Sequence, residues 1–113
     1  MRKPKIVCLC GSTRFGEAFQ QASLYETMAG KIVLSIGCDT HSDDQIFTAM
    51  TPEQLQKTKA MLDELHLRKI DLADEVLILN VGGYIGESTS RELEYAVSSG
   101  KYVRFLEPGE HES

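Results

Sequence analysis

The stretch "EVLILNVGGYIGESTSRELEYA" (residues 75–96) joins a strand pattern, a glycine-rich turn and a helix pattern in one run. Its first residues are apolar and partly β-branched, which is typical of a buried strand. Three glycines, at positions 82, 83 and 86, then precede a series of hydroxyl side chains and an apolar pattern of helical spacing. A buried strand that passes through a flexible turn into a helix is one half of a β-α-β unit, so this stretch predicts parallel strands.

The same alternation continues outward along the chain. Short apolar runs predict strands at residues 5–10, 31–37, 75–81 and 101–106, and amphipathic patterns predict helices at residues 14–30, 51–74 and 88–100. The second helix has the clearest start, because Thr51, Pro52 and Gln54 form a capping box with proline in the first helical turn. Residues 38–50 are rich in Asp, Ser and Thr without a clear period, and we expect a loop or lid there.

The order β-α-β-α-β-α-β predicts an α/β fold with a parallel sheet of four or more strands, in the order 2-1-3-4, and with helices on both faces. At 113 residues, the chain is long enough for a single domain, residues 1–113, with its own core. In such a sheet, ligands bind beyond the carboxyl ends of the strands, at the point where the strand order reverses. We therefore expect a site between the loops that follow the first and third strands.

The net charge, the apolar runs and the cysteines of the sequence exclude several classes of partner. The net charge of −5 argues against DNA or RNA as a main partner, since polymers of this kind need clustered Lys and Arg. No signal peptide or apolar run of membrane-spanning length is recognisable, so we expect a cytoplasmic protein with no membrane partner. Cys8, Cys10 and Cys38 indicate reduced thiols, because their number is odd and no C-x-x-C spacing joins them. No His and Cys residues stand at metal-ligand spacing, so no metal site is expected.

The two loops at the expected site carry groups suited to an anionic ligand. In "GSTR" (residues 11–14), hydroxyls and backbone N–H groups stand at the start of a helix, beside an arginine that can donate two hydrogen bonds. In the later loop, glycines allow close approach of the backbone to a ligand. The predicted substrate-binding residues are Gly11, Ser12, Thr13, Arg14, Asn80, Gly83, Tyr84, Ser88, Thr89 and Ser90. A structural interpretation stays open for both loops, in which the hydroxyl residues only cap the helices.

Glu92 and His66 are the candidate catalytic residues. Glu92 stands three residues after Thr89, so one interpretation is a T-x-x-E capping box without chemistry. The other is a carboxylate in the crevice that acts as nucleophile or base. His66 borders the apolar stripe of the second helix, where it is either structural or a group whose charge changes near neutral pH.

Three segments resemble the nucleoside 2-deoxyribosyltransferase-like superfamily: "CGSTRF" (residues 10–15), "KIDLADEVLILN" (residues 69–80) and "GESTSRELEYA" (residues 86–96). The resemblance extends over most of the chain and implies a Rossmann-like domain that cleaves N-glycosidic bonds of nucleosides or nucleotides. It implies that Glu92 attacks the anomeric carbon, since "ELEYA" (residues 92–96) matches the motif of that family except at Glu94. It also implies a phosphate-holding turn around Thr89 and a homodimer or higher homo-oligomer.

One position departs from the family, and it leaves two functions open. Where the family has an aspartate, eight residues before Asp74, this chain has His66. A histidine can protonate the leaving base, which predicts an N-glycosidase or deoxyribosyltransferase that needs no metal or organic cofactor, because a carboxylate alone stabilises the reacting sugar. The alternative is a non-catalytic nucleotide-binding module that senses or sequesters its ligand. The glycine-rich turn also resembles that of lysine-decarboxylase-like phosphoribohydrolases, but the Arg-rich motif of that family is missing.

Overall fold

The computed structural model describes residues 3–36 and 49–108, and the predicted alternation of strands and helices is confirmed within these ranges. The strands are β1 (Ile6–Cys10), β2 (Ile32–Leu34), β3 (Glu75–Ile78) and β4 (Tyr102–Phe105), and the helices are α1 (Gly16–Met28), α2 (Pro52–Leu72) and α3 (Glu87–Ser98). A short 3₁₀ turn, Val81–Gly83, follows β3. The predicted lid at residues 38–50 lies outside the described residues, apart from its last two.

The four strands form one all-parallel sheet in the order β2-β1-β3-β4, which confirms the predicted topology. The central strands pair in register from Val7 opposite Glu75 to Cys10 opposite Ile78. Their carboxyl ends therefore stop level with each other. The loop after β1 and the turn after β3 consequently leave the sheet side by side.

Helices cover both faces of the sheet. Successive strand residues point to opposite sides, so each central strand contributes apolar side chains to both faces. Val7 and Leu9 face α1 and pack in a cluster with Phe19 and Ala22. Cys8 and Cys10 face the other side and pack in the cluster that contains α2 and α3. The architecture is a Rossmann-like three-layer sandwich with the two central strands buried on both faces.

The element bounds differ from the sequence prediction mainly at the ends of helices. The capping box at the start of α2 is confirmed, since the hydroxyl of Thr51 accepts from the Gln54 N–H at 3.1 Å and the Gln54 side chain accepts from the Thr51 N–H at 3.0 Å. The start predicted for α3 is wrong by one residue, because Glu87 is already helical and Gly86 is the N-cap. The second strand is shorter than predicted, because this edge strand pairs over only three residues with β1. Among residues 3–36 and 49–108, no helix combines the length and apolar character needed to cross a membrane.

A buried charge cluster ties the α1 layer to the sheet. Glu26 of α1 and Glu75 of β3 are both buried. Lys31 donates to Glu75 Oε1 at 2.9 Å and to Glu26 Oε1 at 3.3 Å. Arg104 of β4 donates to Glu75 Oε1 from Nη2 at 2.6 Å and also contacts Glu26. Burial acts to raise the pKa of Glu75, but the hydrogen bonds from Lys31 and Arg104 outweigh it, so the net pKa is lowered.

Gly11 is required where the two central strands end. A Cβ at this position would lie 3.0 Å from the Leu79 Cβ and 3.3 Å from the Leu79 carbonyl oxygen. Neither atom can move easily, because Leu79 is buried and its N–H donates to the Cys10 carbonyl at 2.8 Å. The absence of a side chain at residue 11 therefore lets the loop after β1 lie against the end of β3.

We expect Gly11→Ala to destabilise the protein by about 1–3 kcal/mol, the usual cost of forcing a methyl group into a packed region. Urea unfolding followed by circular dichroism would measure the change in the free energy of unfolding. Thr13→Ala is the control, because Thr13 is exposed in the same loop. An unchanged unfolding midpoint in the glycine variant would contradict the close packing inferred here.

We expect Glu75→Gln to lower the free energy of unfolding by roughly 1.5–3 kcal/mol at neutral pH, because Lys31 and Arg104 lose one of two buried carboxylate partners and keep Glu26. Because the folded pKa of Glu75 is lowered, its stabilising effect is complete above the ordinary value of 4.5 and is lost as the pH falls through the folded pKa. The difference between wild type and variant should therefore shrink as the pH falls below about 4.5. Glu53→Gln is the matched control, since Glu53 is exposed and pairs only with Lys57 within the described residues. A difference that stays constant down to acid pH would show that Glu75 is not ionised in the folded protein.

Candidate functional site

A cavity of about 350 Å³ lies beyond the carboxyl ends of β1 and β3. Its volume is within the range of small-molecule sites. Five parts of the described chain line it: the loop after β1, Ile36 after β2, the turn after β3, the start of α3 and one face of α2. It therefore occupies the position at the reversal of strand order that the topology predicts for a ligand.

The loop after β1 contributes Gly11, Ser12 and Thr13 to the cavity wall. The Ser12 hydroxyl accepts from the backbone N–H of Arg14 at 3.3 Å, and the Phe15 N–H donates to the Ser12 carbonyl at 3.0 Å. The N-cap of α1 is Phe15, with no side-chain cap. The interpretation of Ser12 or Thr13 as helix caps is therefore wrong, and Ser12 stabilises the turn instead.

The start of α3 forms the second wall, where Glu87, Ser88 and Thr89 line the cavity. The N-cap is Gly86, with no side-chain cap. The T-x-x-E capping box is wrong, because Thr89 lies inside the helix. The first-turn N–H groups of α3 therefore point toward the cavity end of the helix, where a negative charge is favoured.

Tyr84 forms the rim of the cavity and is held by the loop after β1. The Arg14 guanidinium lies over the Tyr84 ring, 4.5 Å from its centroid, and its Nη2 is 3.4 Å from the Tyr84 hydroxyl. The Phe15 ring meets the Tyr84 ring edge-on, with centroids 5.9 Å apart. Arg14 does not itself line the cavity. Arg14 therefore positions Tyr84 and does not face the cavity.

Glu92 and His66 come together on the floor of the cavity. Glu92 lies in the second turn of α3 and His66 lies on α2, and His66 Nε2 is 3.9 Å from Glu92 Oε1. The exposed fractions of the two side chains are 14% and 7%. The two predicted catalytic residues, 26 positions apart along the chain, are thus one contact pair that faces the cavity.

Cys8 and Cys10 lie directly behind this pair. The distances from His66 Nε2 to the two sulfur atoms are 3.7 Å for Cys8 and 3.2 Å for Cys10. Both thiols are free and fully buried. The expectation of no metal site rested on spacing along the chain, yet these three potential ligand atoms all lie within 4.8 Å of one another. The relevant neighbours come from a strand and a distant helix, so chain spacing does not reveal them.

Burial and mutual contacts shift the pKa values of the floor groups. Burial raises the pKa of Glu92, against the opposing effect of the His66 charge. Burial acts to lower the pKa of His66, but the contact with Cys8 and the charge of Glu92 outweigh it, so the net pKa is raised. The hydrogen bond from Cys10 is the main cause that lowers the pKa of Cys8 to about 6, whereas the same contact and burial raise the pKa of Cys10 well above its usual value.

The face of α2 supplies cavity residues that the sequence analysis missed. Lys59, Asp63 and Lys69 line the cavity together with His66. Lys69 also donates to the Ser35 carbonyl at 2.5 Å, which ties α2 to the residue after β2. Residues 59, 63 and 66 recur at intervals of four and three, so they share the helix face of His66. That spacing was the signal available in the sequence.

Besides Arg14, three further predicted binding residues, Asn80, Gly83 and Ser90, lie outside the cavity lining. The Asn80 side chain donates to the Glu107 carbonyl at 2.8 Å and accepts from the Glu107 N–H at 2.9 Å, so it holds the chain after β4. Gly83 has a φ of 82°, which a residue with a side chain rarely adopts, and serves the turn after β3. The Ser90 N–H donates to the Gly86 carbonyl at 2.8 Å within the first turn of α3.

We compared the chain with protein-family models, with curated proteins and with solved structures. None of the three comparisons finds a match. The residues of the cavity and their geometry are therefore the basis for a functional proposal.

Proposed function

We propose that the protein cleaves the N-glycosidic bond of a nucleoside or 5′-nucleotide, with Glu92 as the nucleophile. The observation that carries this proposal is the position of the Glu92 carboxylate. It takes no part in capping α3, it lies on the floor of a cavity of small-molecule size, and it is mostly shielded from solvent. A carboxylate that is shielded from solvent and does not cap its helix is suited to attack an electron-poor carbon.

The reaction proceeds in two displacements. A Glu92 oxygen attacks the anomeric carbon, the bond from that carbon to the base nitrogen breaks, and its electron pair leaves with the base. The base takes a proton, for which His66 is our proposed donor, since its Nε2 lies 3.9 Å from the Glu92 carboxylate. Water, or a ring nitrogen of a second base, then attacks the anomeric carbon of the glycosyl ester, gives its proton to His66 and releases the Glu92 carboxylate. The first acceptor gives hydrolysis and the second gives transfer.

The walls of the cavity supply groups for the rest of the substrate. The uncapped N–H groups at the start of α3 and the Ser88 hydroxyl are suited to a phosphate, and the Lys59 ammonium adds a positive charge at the same cavity. Tyr84, held in place by Arg14, offers a ring surface for a planar base. These features favour a 5′-monophosphate over a nucleoside without phosphate.

Asp63 offers a carboxylate close to the position where the resembled family has an aspartate and this chain has His66. That family has an aspartate at the position of His66, and Asp63 lies one helical turn earlier and lines the same cavity. A carboxylate on this face of α2 is suited to orient the leaving base by hydrogen bonds. The acid and base-orienting roles, which one aspartate serves in the family, are then divided between His66 and Asp63.

The second candidate is a nucleotide-binding module without turnover. The contacts of His66 favour it, because its Nε2 lies 3.2 Å from the Cys10 thiol and 3.7 Å from the Cys8 thiol, so that nitrogen is engaged away from the cavity. In this case the cavity would hold the ligand and Glu92 would not react.

We expect Glu92→Gln to lower the rate of base release by about a thousandfold or more, because the amide cannot act as a nucleophile. The measurement is chromatographic detection of free base after incubation with ribo- and deoxyribonucleosides and their 5′-monophosphates. Glu94→Gln is the matched control, since it removes the same charge from an exposed position of the same helix. Equal base release by wild type and Glu92→Gln would refute the nucleophile. Binding without base release in any variant would establish the binding module.

We also expect a covalent glycosyl ester on Glu92 during turnover. Wild-type protein mixed with excess substrate and quenched rapidly in acid should gain the mass of the sugar, or of the sugar phosphate. Proteolysis and mass spectrometry should place that mass on the peptide that contains Glu92, and Glu92→Gln should show none. Base release in the complete absence of the adduct, at every quench time, would favour direct attack by water.

A further inference from the structure

The contacts around His66 have the arrangement of ligands about a centre. Three heteroatoms converge on the single atom His66 Nε2: the Cys10 sulfur at 3.2 Å, the Cys8 sulfur at 3.7 Å and Glu92 Oε1 at 3.9 Å. An imidazole nitrogen either donates one hydrogen or accepts one. One hydrogen bond at Nε2 accounts for one of these approaches. The two thiols also hydrogen-bond each other, and Cys10 hydrogen-bonds Glu92, so the groups form one connected buried cluster.

The positions of these side chains suit the ligands of a zinc ion. Zinc binds thiolate sulfur at about 2.3 Å and imidazole nitrogen at about 2.0 Å in a tetrahedron, so neighbouring ligand atoms lie roughly 3.3 to 3.8 Å apart. Of the two nitrogen–sulfur distances, 3.7 Å falls within that range and 3.2 Å lies just below it. The three ligand atoms lie within 4.8 Å of one another. The largest adjustment needed is thus about 1 Å, which a small side-chain rotation can supply.

The backbone keeps these ligands in place. Cys8 and Cys10 are two residues apart on the central strand β1, so both side chains point to the face covered by α2. His66 meets them from α2, where it is itself buried. Soft thiolate ligands together with imidazole select zinc over magnesium or calcium.

We propose that Cys8, Cys10 and His66 form a zinc-binding site behind the floor of the cavity, with its fourth coordination position toward Glu92. Glu92 Oε1 lies 3.9 Å from His66 Nε2, and a carboxylate is an accepted fourth ligand of zinc. This proposal goes beyond the proposed function and does not rest on it, since an ion can bind here whether or not the cavity turns over a nucleotide.

The test begins with the wild-type full chain, stripped with a chelator and then dialysed against zinc. We expect about one zinc per chain by atomic emission, and a rise in melting temperature, since the ion binds the folded state. Replacement by cobalt(II) should give sulfur-to-cobalt charge-transfer absorption in the near ultraviolet and the visible bands of a tetrahedral ion. Wild-type protein that takes up neither metal would overturn the proposal without reference to any variant.

Variants locate the ion. Cys10→Ala, Cys8→Ala and His66→Asn should each abolish or strongly weaken the cobalt spectrum. Circular dichroism should check their folding. Cys38→Ala is the matched control, because it removes the remaining thiol of the chain. A spectrum that survives in Cys10→Ala, or disappears in Cys38→Ala, would assign the ion to another set of ligands and overturn the proposal.

Glu92→Gln separates this proposal from the proposed function. The charge-transfer absorption comes from the two sulfur ligands, so it should persist in this variant. Loss of base release with retained absorption supports both proposals. Base release is measured on the chelator-stripped protein, because a bound ion would occupy Glu92. Absence of cobalt binding with normal base release overturns only the zinc site, and cobalt binding without base release by the stripped wild type overturns only the glycosidic chemistry.

Discussion

The parallel pairing of β1 with β3 is the constraint on which the rest of the molecule depends. It brings Cys10 level with Ile78, and the Leu79 N–H extends the contact by donating to the Cys10 carbonyl at 2.8 Å. Two loops that are distant along the chain consequently open at the same edge of the sheet. Without a side chain at Gly11, they lie close enough for one cavity to form between them. The chemistry of the cavity is thus a consequence of strand register.

The apolar periodicity of the sequence predicted the fold well, because that periodicity reflects which strands and helix faces are buried. Continuous apolar runs in β1 and β3 mark strands covered on both faces, and the helices between them permit only parallel connections. The capping box at Thr51 was equally readable, because all of its hydrogen bonds are local. The same local logic failed at Thr89, where the motif is present but the helix already begins at Glu87. A motif of four residues does not determine where the helix begins, and here the N-cap is Gly86, which has no hydroxyl.

The candidate site was only partly predictable, for a related reason. Glu92, His66 and the two hydroxyl loops could be named, since each belongs to a recognisable pattern. The residues that contact them could not be predicted, because those contacts depend on how α2 packs against α3. Lys59 and Asp63 enter the cavity because that packing turns their face of α2 inward. Asn80 leaves it because the backbone of Glu107 offers both a donor and an acceptor at the right distance.

The two proposals give Glu92 two roles that exclude each other at any instant. As the proposed nucleophile, it must present an unshared oxygen electron pair to the anomeric carbon. As the fourth ligand of the proposed ion, it would give that electron pair to zinc, and the positive charge would weaken it as a nucleophile. The cavity would then exist in a zinc-free form competent for glycosyl transfer and a zinc-bound form in which the floor is locked. The metal content of a preparation would therefore set its measured activity, because both processes compete for one oxygen atom, 3.9 Å from His66 Nε2.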